Sequence, residues 1–232
     1  MIHLQEIKDS FLHLLFPHVC NGCGTDQLNE TTLLCMRCMN SLPETNFELH
    51  PGNPVEKTFW GRLPLTGATA QFYFTKESLV QHLMHQLKYK GNRDLGLQLG
   101  KMMGDQLLRS GRFGVDGLIP LPLFPAKEKN RGYNQATVLC NGMAELMNIP
   151  VWDKLIIRPQ HTETQTKKGR IERWKNMEGK FVLKDPAMIR QKHLLLVDDV
   201  VTTGATLEAC GVELLKAENV KLSIATLCIA SR

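Results

Sequence analysis

The sequence predicts an α/β protein: a mostly parallel sheet with helices on both faces, preceded by a small cysteine-rich module. Two observations predict this fold. Segments of strand and helix character alternate over most of the chain, and four of the seven cysteines fall within residues 20–38. Such alternation is typical of parallel strands joined by crossover helices. We predict an N-terminal helix and cysteine module over residues 1–50 and an α/β domain over residues 51–232.

The composition is that of a soluble globular protein. Of the 232 residues, 43% are hydrophobic and 22% are charged, and the net charge is +5. This mild excess suits phosphate-bearing partners but does not by itself indicate nucleic-acid binding. No segment reaches the roughly 18 to 20 apolar residues of a membrane span, and the N-terminus lacks the pattern of a signal peptide. A cytoplasmic location is therefore expected, where cysteines are more often metal ligands or buried thiols than disulfides.

The order of elements follows from local periodicity and from prolines and glycines. Residues 9–16 have helical spacing and stop at Pro17, which predicts a short amphipathic helix. The polar, proline-bearing residues 43–57 are interpreted as a linker. Beyond them we predict, in order, a strand at 67–74, helices at 79–90 and 95–108, a strand at 117–121, a helix at 134–147, strands at 152–157 and 193–197, a helix at 206–216 and a strand at 222–229.

Residues 157–181 form a long polar segment without a clear apolar face. Segments of this kind are usually either functional or disordered. Two interpretations stay open: a solvated loop with a surface helix, or a mobile flap over an active site. The second is favoured only by position, because the segment directly precedes the predicted strand at 193–197.

The N-terminal cysteines form two CxxC pairs, Cys20–Cys23 and Cys35–Cys38, separated by 11 residues. Zn²⁺ prefers four ligands in a tetrahedron, and thiolates satisfy that preference. The pairs therefore predict a closed, structural zinc ribbon. A redox role for either pair is the alternative, but no strand–helix context supports it. The other three cysteines are expected to be small buried side chains.

The stretch LLLVDDVVTTGAT, residues 194–206, places two carboxylates at the end of a buried strand. Ligands of parallel sheets bind beyond the carboxyl ends of the strands. The small and hydroxylated residues after Asp198 and Asp199 lead into a helix whose first N–H groups have no partner within it, so this loop is suited to a phosphate. Carboxylates repel phosphate but accept hydrogen bonds from vicinal hydroxyls. A ribose 5-phosphate satisfies both halves.

This stretch resembles the signature for 5-phosphoribosyl 1-pyrophosphate (PRPP) in type I phosphoribosyltransferases. The wider sequence is similar to the ComF family of competence-associated proteins, which joins an N-terminal zinc ribbon to such a domain. The supporting stretches are the CxxC pairs, LKYKGNRDLG (87–96), IPLPL (119–123), NRGYNQA (130–136) and a pattern formed by Arg158, Thr162, Gln165, Arg173 and Asn176. Together they cover nearly the whole chain. Lys168 departs from the apolar residue frequent in the family.

The resemblance implies transfer of a 5-phosphoribosyl group to a nitrogen acceptor with release of pyrophosphate, assisted by Mg²⁺, and a link to DNA uptake. It implies that Asp198 and Asp199 act at the ribose, as catalytic residues. The remaining PRPP-binding residues it implies are Val201, Thr202, Thr203, Gly204, Ala205, Thr206, Lys88, Tyr89, Lys90, Gly91, Arg131, Arg158 and Arg173. Simpler roles stay open: lysines at a helix C-terminus interact favourably with its dipole, and Arg131 is also compatible with a solvated surface.

Two other function classes remain open. In the first, the protein is a non-catalytic module that binds single-stranded DNA and competence proteins through the ribbon and basic segments. Base stacking would then need exposed aromatic side chains, and the candidates are Trp60, Tyr89, Tyr133 and Trp174. In the second, the cysteines form a redox switch. The acceptor base and the oligomeric state cannot be deduced from the sequence.

Overall fold

The computed structural model describes residues 18–28, 31–159 and 181–230. The helix predicted at residues 9–16 lies outside these ranges, as does most of the polar segment with Arg173. The helices are α1 (Met36–Asn40), α2 (Pro54–Phe59), α3 (Leu79–Tyr89), α4 (Arg93–Ser110), α5 (Pro125–Arg131), α6 (Gln135–Met147) and α7 (Ala205–Leu214). The strands are β1 (Gly67–Phe74), β2 (Gly117–Pro120), β3 (Ile156–Ile157), β4 (Val182–Leu183), β5 (His193–Val201) and β6 (Lys221–Ala230). Within these ranges no helix is both long and apolar enough to cross a bilayer.

Four strands form one parallel sheet in the order β1-β6-β5-β2. The register sets Leu118 opposite Leu195 and Asp198 opposite Thr226. Beyond the outer strands, Glu44 pairs antiparallel with Phe72 of β1, and Val151 pairs with Leu118 of β2. β3 and β4 form a separate antiparallel pair. The predicted parallel α/β fold is thus confirmed.

Alternate residues of the central strand β5 enter two apolar cores on opposite faces of the sheet. Leu195 and Val197 belong to the core formed with α3, α4 and α6. Leu194 and Leu196 belong to the core formed with α2 and α7. A strand buried on both faces is typical of parallel sheets, which explains the unbroken apolar run before the two carboxylates.

Glycines bring α4 and α6 close together. A Cβ atom added at Gly100 would lie 2.2 Å from the carbonyl oxygen of Leu139, and one added at Gly142 would lie 2.1 Å from that of Leu97. Glycine in a helix interior costs about 1 kcal/mol relative to alanine. The close helix contact explains why glycine is nevertheless present, since any side chain would push the two helices apart.

The interpretation of residues 43–57 as a linker was wrong. The segment contains a 3₁₀ turn (Phe47–Leu49) and α2, and it buries Phe47 and Val55. Asn53 caps α2 through Oδ1, which accepts from the N–H groups of Val55 and Glu56 at 2.9 and 3.1 Å. Arg112 binds Glu56 at 3.0 Å. Asn53 and Glu56 form hydrogen bonds within this packed segment, so the polarity of these residues did not indicate a linker.

Two strand boundaries also differ from the prediction. Of the strand expected at 152–157, only Ile156–Ile157 is extended, and it pairs with β4 rather than with the parallel sheet. Asp153 and Lys154 are exposed in a turn that interrupts the chain. β5, in contrast, continues to Val201. Asp198 and Asp199 therefore lie within the last residues of the strand rather than after it.

The cysteine module packs against α3 and α4 and shares their core. Cys20, Leu34 and Cys38 are buried beside Val80 and Leu83 of α3. Gln86 of α3 donates to the carbonyl oxygen of Asn21 at 2.6 Å. Further hydrogen bonds join Asn92 to the Asn21 side chain (3.0 Å) and the Leu33 amide to Gln98 (3.1 Å). The boundary at residue 50 stays a prediction.

Candidate functional site

Asp198 and Asp199 lie near the carboxyl end of β5 and point toward different faces of the sheet. Successive side chains of a strand alternate in direction. Asp199 forms an ion pair with Lys88 of α3. Asp198 lies on the other side, near Cys210 of α7 and Arg158, and it contributes to raising the pKa of both groups. The two carboxylates therefore contact different groups on the two faces of the sheet at the end of β5.

Asp199 forms an ion pair with Lys88. The distance between Lys88 Nζ and Asp199 Oδ2 is 2.9 Å, and the two side chains are 20% and 11% exposed. Lys88 reaches the strand end because it lies in the last turn of α3, one side of which packs on the sheet. A charge-assisted contact of this kind compensates a carboxylate that is largely removed from water.

Asp198 holds its proton far more tightly than a solvated carboxyl. Asp198 is half-buried as a residue, yet protein atoms surround its carboxyl group. Burial is the largest cause that raises its pKa, and the charge of Asp199 adds to it, so that the pKa is about 8. The Asp199 amide, which donates to Asp198 Oδ1 at 2.8 Å, opposes the rise, as do Lys88 and Arg131. The free site therefore favours the protonated form of Asp198 more than water does.

The loop after β5 presents hydroxyl and amide groups to solvent at the start of α7. Thr202, Thr203 and Thr206 are exposed, while Gly204 is buried and caps α7 with φ +72°. A Cβ atom at Gly204 would lie 2.7 Å from the ring of Phe59, so both the backbone angle and the space require glycine. The free N–H groups of a ten-residue helix face the same region as the threonines.

Arg62 holds this loop from the side of α2. Its Nη1 donates to the carbonyl oxygen of Thr203 at 3.0 Å and to that of Thr58 at 3.0 Å. Its Nη2 forms an ion pair with Glu208 in the first turn of α7. Arg62 was not predicted as a site residue, because it follows a segment interpreted as a linker and belongs to no motif. No pattern in the sequence around Arg62 indicates that it contacts the loop after β5.

Arg131 and Tyr89 lie together beside the carboxylates. The Arg131 guanidinium is 5.7 Å from the centre of the Tyr89 ring and donates to Gln135 Oε1 at 2.6 Å. Its charge lowers the pKa of Asp198. Tyr89 is 67% exposed, and the ring of His85 lies 5.0 Å from it between centroids. The structure thus brings the two predicted residues together at the rim of the site.

Tyr133 takes a structural position under the same rim. Its hydroxyl donates to the carbonyl oxygen of Leu87 in the last turns of α3, and the guanidinium of Arg93 lies 4.9 Å from its ring. Burial raises the pKa of its phenol. Tyr133 therefore links the loop after α5 to the helix that carries Lys88. It is too buried to be a stacking surface.

Arg158 lies between aromatic rings on the Asp198 side of the strand. Its guanidinium is 3.5 Å from the centre of the Phe124 ring and 5.3 Å from that of Phe181. Burial is the main cause that lowers the pKa of Arg158, and the ionisable groups of Cys210 and Asp198 nearby oppose this shift. Its Nε is buried and has no hydrogen-bond partner among the described residues. A cation so placed can stabilise negative charge next to Asp198.

Four further predicted residues lie at an exposed helix end or have side chains that are at least half-buried. Lys90 and Gly91 are exposed at the end of α3, where Gly91 has φ +68° and an added Cβ would have no atom within 4 Å. Val201 is 1% exposed and belongs to the apolar core, so only its backbone faces the loop. Ala205 is half-buried in the first turn of α7. Arg173 lies outside the described residues.

The four N-terminal cysteines form one cluster. Their sulfur atoms all lie within 4.8 Å of one another, and Cys23 Sγ is 3.7 Å from Cys35 Sγ. Tetrahedral Zn²⁺ with Zn–S bonds of about 2.3 Å requires S–S separations of about 3.8 Å. A Cβ at residue 22 would lie 2.7 Å from Cys38 Sγ, so glycine is needed there. The donor set and its spacing fit zinc.

Backbone amides favour the thiolate form of Cys20. Burial raises the pKa of this thiol, but hydrogen bonds from the backbone of Cys35, Cys23 and Gly22 outweigh burial and lower it to about 6. The Gly22 and Cys35 amides both donate to Cys20 Sγ at 3.3 Å. A thiolate is the form in which cysteine binds a metal ion.

The fold and this site define a type I phosphoribosyltransferase domain joined to a four-cysteine module. A family model described as the phosphoribosyl transferase domain matches residues 134–232. The chain is 30% identical over 216 residues to the DNA utilization protein YhgH of Escherichia coli O157:H7, covering 90% of this chain and 89% of that protein. It is 28% identical over 194 residues to competence protein F of Haemophilus influenzae, covering 83% and 76%. The chain belongs to the ComF family.

The chain is also similar to a solved structure, that of glutamine phosphoribosylpyrophosphate (PRPP) amidotransferase from B. subtilis complexed with ADP and GMP. The TM-score is 0.42 at 17% sequence identity, with 61% of this chain and 30% of that chain covered. The chain therefore spans less than a third of that protein's length.

The raised pKa of Asp198 predicts a pH-dependent stability. Because the folded-state pKa of about 8 lies above the ordinary 3.8, the folded protein binds a proton that the unfolded chain releases. This contribution lowers the free energy of unfolding as pH rises from about 4 to about 8. In buffer without Mg²⁺ or phosphate, Asp198→Asn should therefore stabilise the protein, and the gain should grow between pH 5 and pH 8. Urea unfolding at both pH values measures it.

The matched control is Asp153→Asn, which changes the same chemical group on an exposed turn. Its effect on the free energy of unfolding should be small at both pH values. If the curves of Asp198→Asn and wild type stay parallel from pH 5 to pH 8, the proton on Asp198 is not bound as described.

Proposed function

We propose that the protein binds PRPP with Mg²⁺ at the carboxyl end of β5. One observation carries this proposal: two carboxylates lie one short loop before the glycine-capped start of α7, and Lys88, Arg131 and Arg158 surround them. The site therefore offers acceptors for hydroxyl groups, amides and hydroxyls for a phosphate, and cations for further negative charge. PRPP carries all three groups on one ribose.

The 5-phosphate fits the loop of residues 202–206. The exposed Thr202, Thr203 and Thr206 hydroxyls and the first N–H groups of α7 supply donors, and the positive end of the helix dipole favours an anion. Arg62 donates a hydrogen bond to the carbonyl oxygen of Thr203. This bond would keep that oxygen directed away from the bound phosphate. The ribose 2- and 3-hydroxyls then donate to Asp198 and Asp199.

The pyrophosphate fits the basic side chains around the carboxylates. Lys88 now neutralises Asp199, and it can turn toward the pyrophosphate once a ribose hydroxyl donates to that carboxylate. Arg131 lies at the rim, and Arg158 has a buried Nε without a partner. Mg²⁺, which prefers oxygen ligands, would neutralise part of the pyrophosphate charge when it is bound together with PRPP.

The chemistry that such a site supports is displacement at C1 of the ribose. The C1–O bond to pyrophosphate breaks and a C1–N bond to a nitrogen acceptor forms. The electron pair of the broken bond leaves with pyrophosphate, and the acceptor releases one proton. Fixed carboxylates stabilise the positive charge that develops on the ring, and the basic side chains stabilise the departing anion. We propose that Asp199, which is paired with Lys88 in the free protein, receives this proton.

We expect Mg²⁺–PRPP to bind the wild-type protein and to bind the double variant Asp198→Asn/Asp199→Asn about 10- to 100-fold more weakly, because a lost hydrogen bond to a charged group costs about 1.5–3 kcal/mol. Isothermal titration calorimetry of the zinc-loaded protein measures the affinity. Asp153→Asn should bind like the wild type. Absence of heat and of thermal stabilisation in the wild type would contradict PRPP binding.

We further propose that the four-cysteine cluster holds a structural Zn²⁺. The support is the sulfur spacing and the glycine at position 22, described above. The ion would tie the Cys20–Cys23 turn to α1, which carries Cys38. Its role is structural because all four coordination positions are filled by thiolates.

Replacement of one ligand should release the metal. Cys38→Ser should reduce bound zinc from about one per chain to near zero and lower the melting temperature, because a structural zinc site contributes directly to folding. Inductively coupled plasma mass spectrometry counts the ion. Cys140→Ser, the same change at a buried cysteine outside the cluster, should keep full zinc. Equal zinc content in both variants would exclude the site.

A second candidate function is binding of single-stranded DNA at the rim of the same site. The specific observation is the exposed Tyr89 ring beside His85 and the cationic Arg131. Proteins that bind single strands combine an aromatic ring with basic groups along the backbone path. Relatives whose names refer to DNA utilization and competence support a role of this chain in the handling of DNA taken up by the cell.

If this function holds, Tyr89→Leu should weaken binding of a fluorescent single-stranded oligonucleotide about tenfold, since stacking of one base contributes about 1–3 kcal/mol. Tyr89→Phe, which keeps the ring, should bind like the wild type. Fluorescence anisotropy in 0.1 M salt measures both. Equal affinity of the leucine and phenylalanine variants would remove Tyr89 from the interface.

A further inference from the structure

One short segment of the site proposed for PRPP, residues 88–91, lies between two amide side chains that bind the same residue of the cysteine module. Gln86 precedes the segment in α3, and Asn92 follows it as the N-cap of α4. Both amides bind Asn21, which directly follows Cys20 in the first CxxC pair. The cysteine module therefore contacts both ends of this segment.

Three hydrogen bonds form a closed network between Asn21, Gln86 and Asn92. Gln86 Nε2 donates to the carbonyl oxygen of Asn21 at 2.6 Å. Asn92 Nδ2 donates to Asn21 Oδ1 at 3.0 Å and to Gln86 Oε1 at 3.1 Å. Each of the three residues thus binds the other two, and a displacement of one of them affects both of its partners.

The orientation of both amide side chains is determined by backbone groups. A carbonyl oxygen accepts only from a donor, so Gln86 must present its nitrogen atom to Asn21. Asn92 Oδ1 accepts from the Leu95 amide at 3.1 Å, which directs the nitrogen atom of Asn92 toward Asn21 and Gln86. The second N–H group of Gln86 donates to His82 Nε2 at 2.9 Å. Gln86 is only 8% exposed, and satisfied polar networks of this kind favour a single arrangement.

Asn21 is held by the same turn that carries two of the sulfur atoms. Its amide donates to the carbonyl oxygen of Leu33 at 2.8 Å, two residues before Cys35. The Gly22 and Cys35 amides both donate to Cys20 Sγ. The direction of the backbone at Asn21 therefore depends on how the two CxxC pairs are held together, which is the function of a structural metal site.

Lys88 lies close to the other side of this network. It follows Gln86 by two residues, about 3 Å along the helix axis, and its Nζ is 2.9 Å from Asp199 Oδ2. The carbonyl oxygen of Gln86 accepts from the Lys90 amide at 3.0 Å, which ends the helix. A displacement of Gln86 would therefore move the turn from which Lys88 reaches the carboxylates.

We propose that Asn21 is a positioning residue for the PRPP site: the metal-loaded turn of Cys20–Cys23 holds Lys88, through Asn21 and Gln86, in the position that binds pyrophosphate. This inference rests on the proposed binding of PRPP and adds a regulation of that site, because the affinity for Mg²⁺–PRPP then depends on the state of the cysteine cluster. The coupling is reciprocal, so bound PRPP strengthens retention of the metal by the same factor.

The first test is Asn21→Ala, which removes the acceptor of Asn92 and keeps all four thiolates. We expect about one zinc per chain, as in the wild type, and about three- to tenfold weaker binding of Mg²⁺–PRPP in calorimetry, the range for one hydrogen bond. The matched control Gln27→Ala truncates an exposed amide of the same module and should bind PRPP like the wild type. Full affinity of Asn21→Ala beside a binding wild type would overturn the inference and leave PRPP binding intact.

A double-mutant cycle separates positioning of Lys88 from a general loss of stability. Lys88→Met should itself weaken PRPP binding. If Asn21 acts through Lys88, Asn21→Ala should have little further effect in the Lys88→Met background, whereas independent effects add. PRPP should also slow the transfer of zinc from the wild type to a chelator, and slow it less in Asn21→Ala. Additive losses of affinity, or zinc transfer that PRPP does not slow in the wild type, contradict the inference.

A third measurement does not require PRPP. Hydrogen–deuterium exchange of residues 86–92 should be faster in Asn21→Ala than in the wild type and in Gln27→Ala, because the network that holds this segment has lost a bond. If the wild type binds no PRPP but exchange is faster in Asn21→Ala, the proposed function fails and the link between module and segment stands. Equal exchange in all three proteins would exclude the link.

Discussion

Two adjacent carboxylates on the central strand impose a constraint that the surrounding residues satisfy. Asp199 is compensated by Lys88 at 2.9 Å, and Asp198 keeps its proton because burial and the neighbouring charge raise its pKa to about 8. The charge of one carboxylate disfavours ionisation of its neighbour in the chain. The helix that provides Lys88 is in turn held by Tyr133 and by Asn21 of the cysteine module. Sheet, helix and module thus converge on one strand end.

The cysteine module and the carboxylate site are coupled through a single helical turn. Gln86, which binds the backbone of the module, and Lys88, which binds Asp199, are two residues apart on α3. The module is therefore not an independent appendage in its packing, since its cysteines share a core with α3 and α4. The module contacts the end of α3 that carries Lys88.

The sequence predicted the sheet, the cysteine cluster and the strand that carries the carboxylates, because each depends on a local pattern. The strand at 67–74 was predicted with the observed bounds. The sequence did not predict that residues 43–57 are packed, since Asn53, Glu56 and Arg112 form hydrogen bonds between segments distant in sequence. Arg62 was missed for the same reason: its partners Thr203 and Glu208 are about 140 residues away. Local polarity does not reveal such partners.

The pairing of Glu44 with Phe72 has a consequence for how copies of this chain behave in a crowded cell. The outer edge of β1 would otherwise expose a row of backbone groups to which a strand of another molecule could add. Residues 43–45 bind the backbone at Gln71 and Tyr73, and at the far edge Val151 and Trp152 engage Leu118 of the short β2. Both margins of the parallel sheet are thus partly covered, which discourages edge-to-edge aggregation.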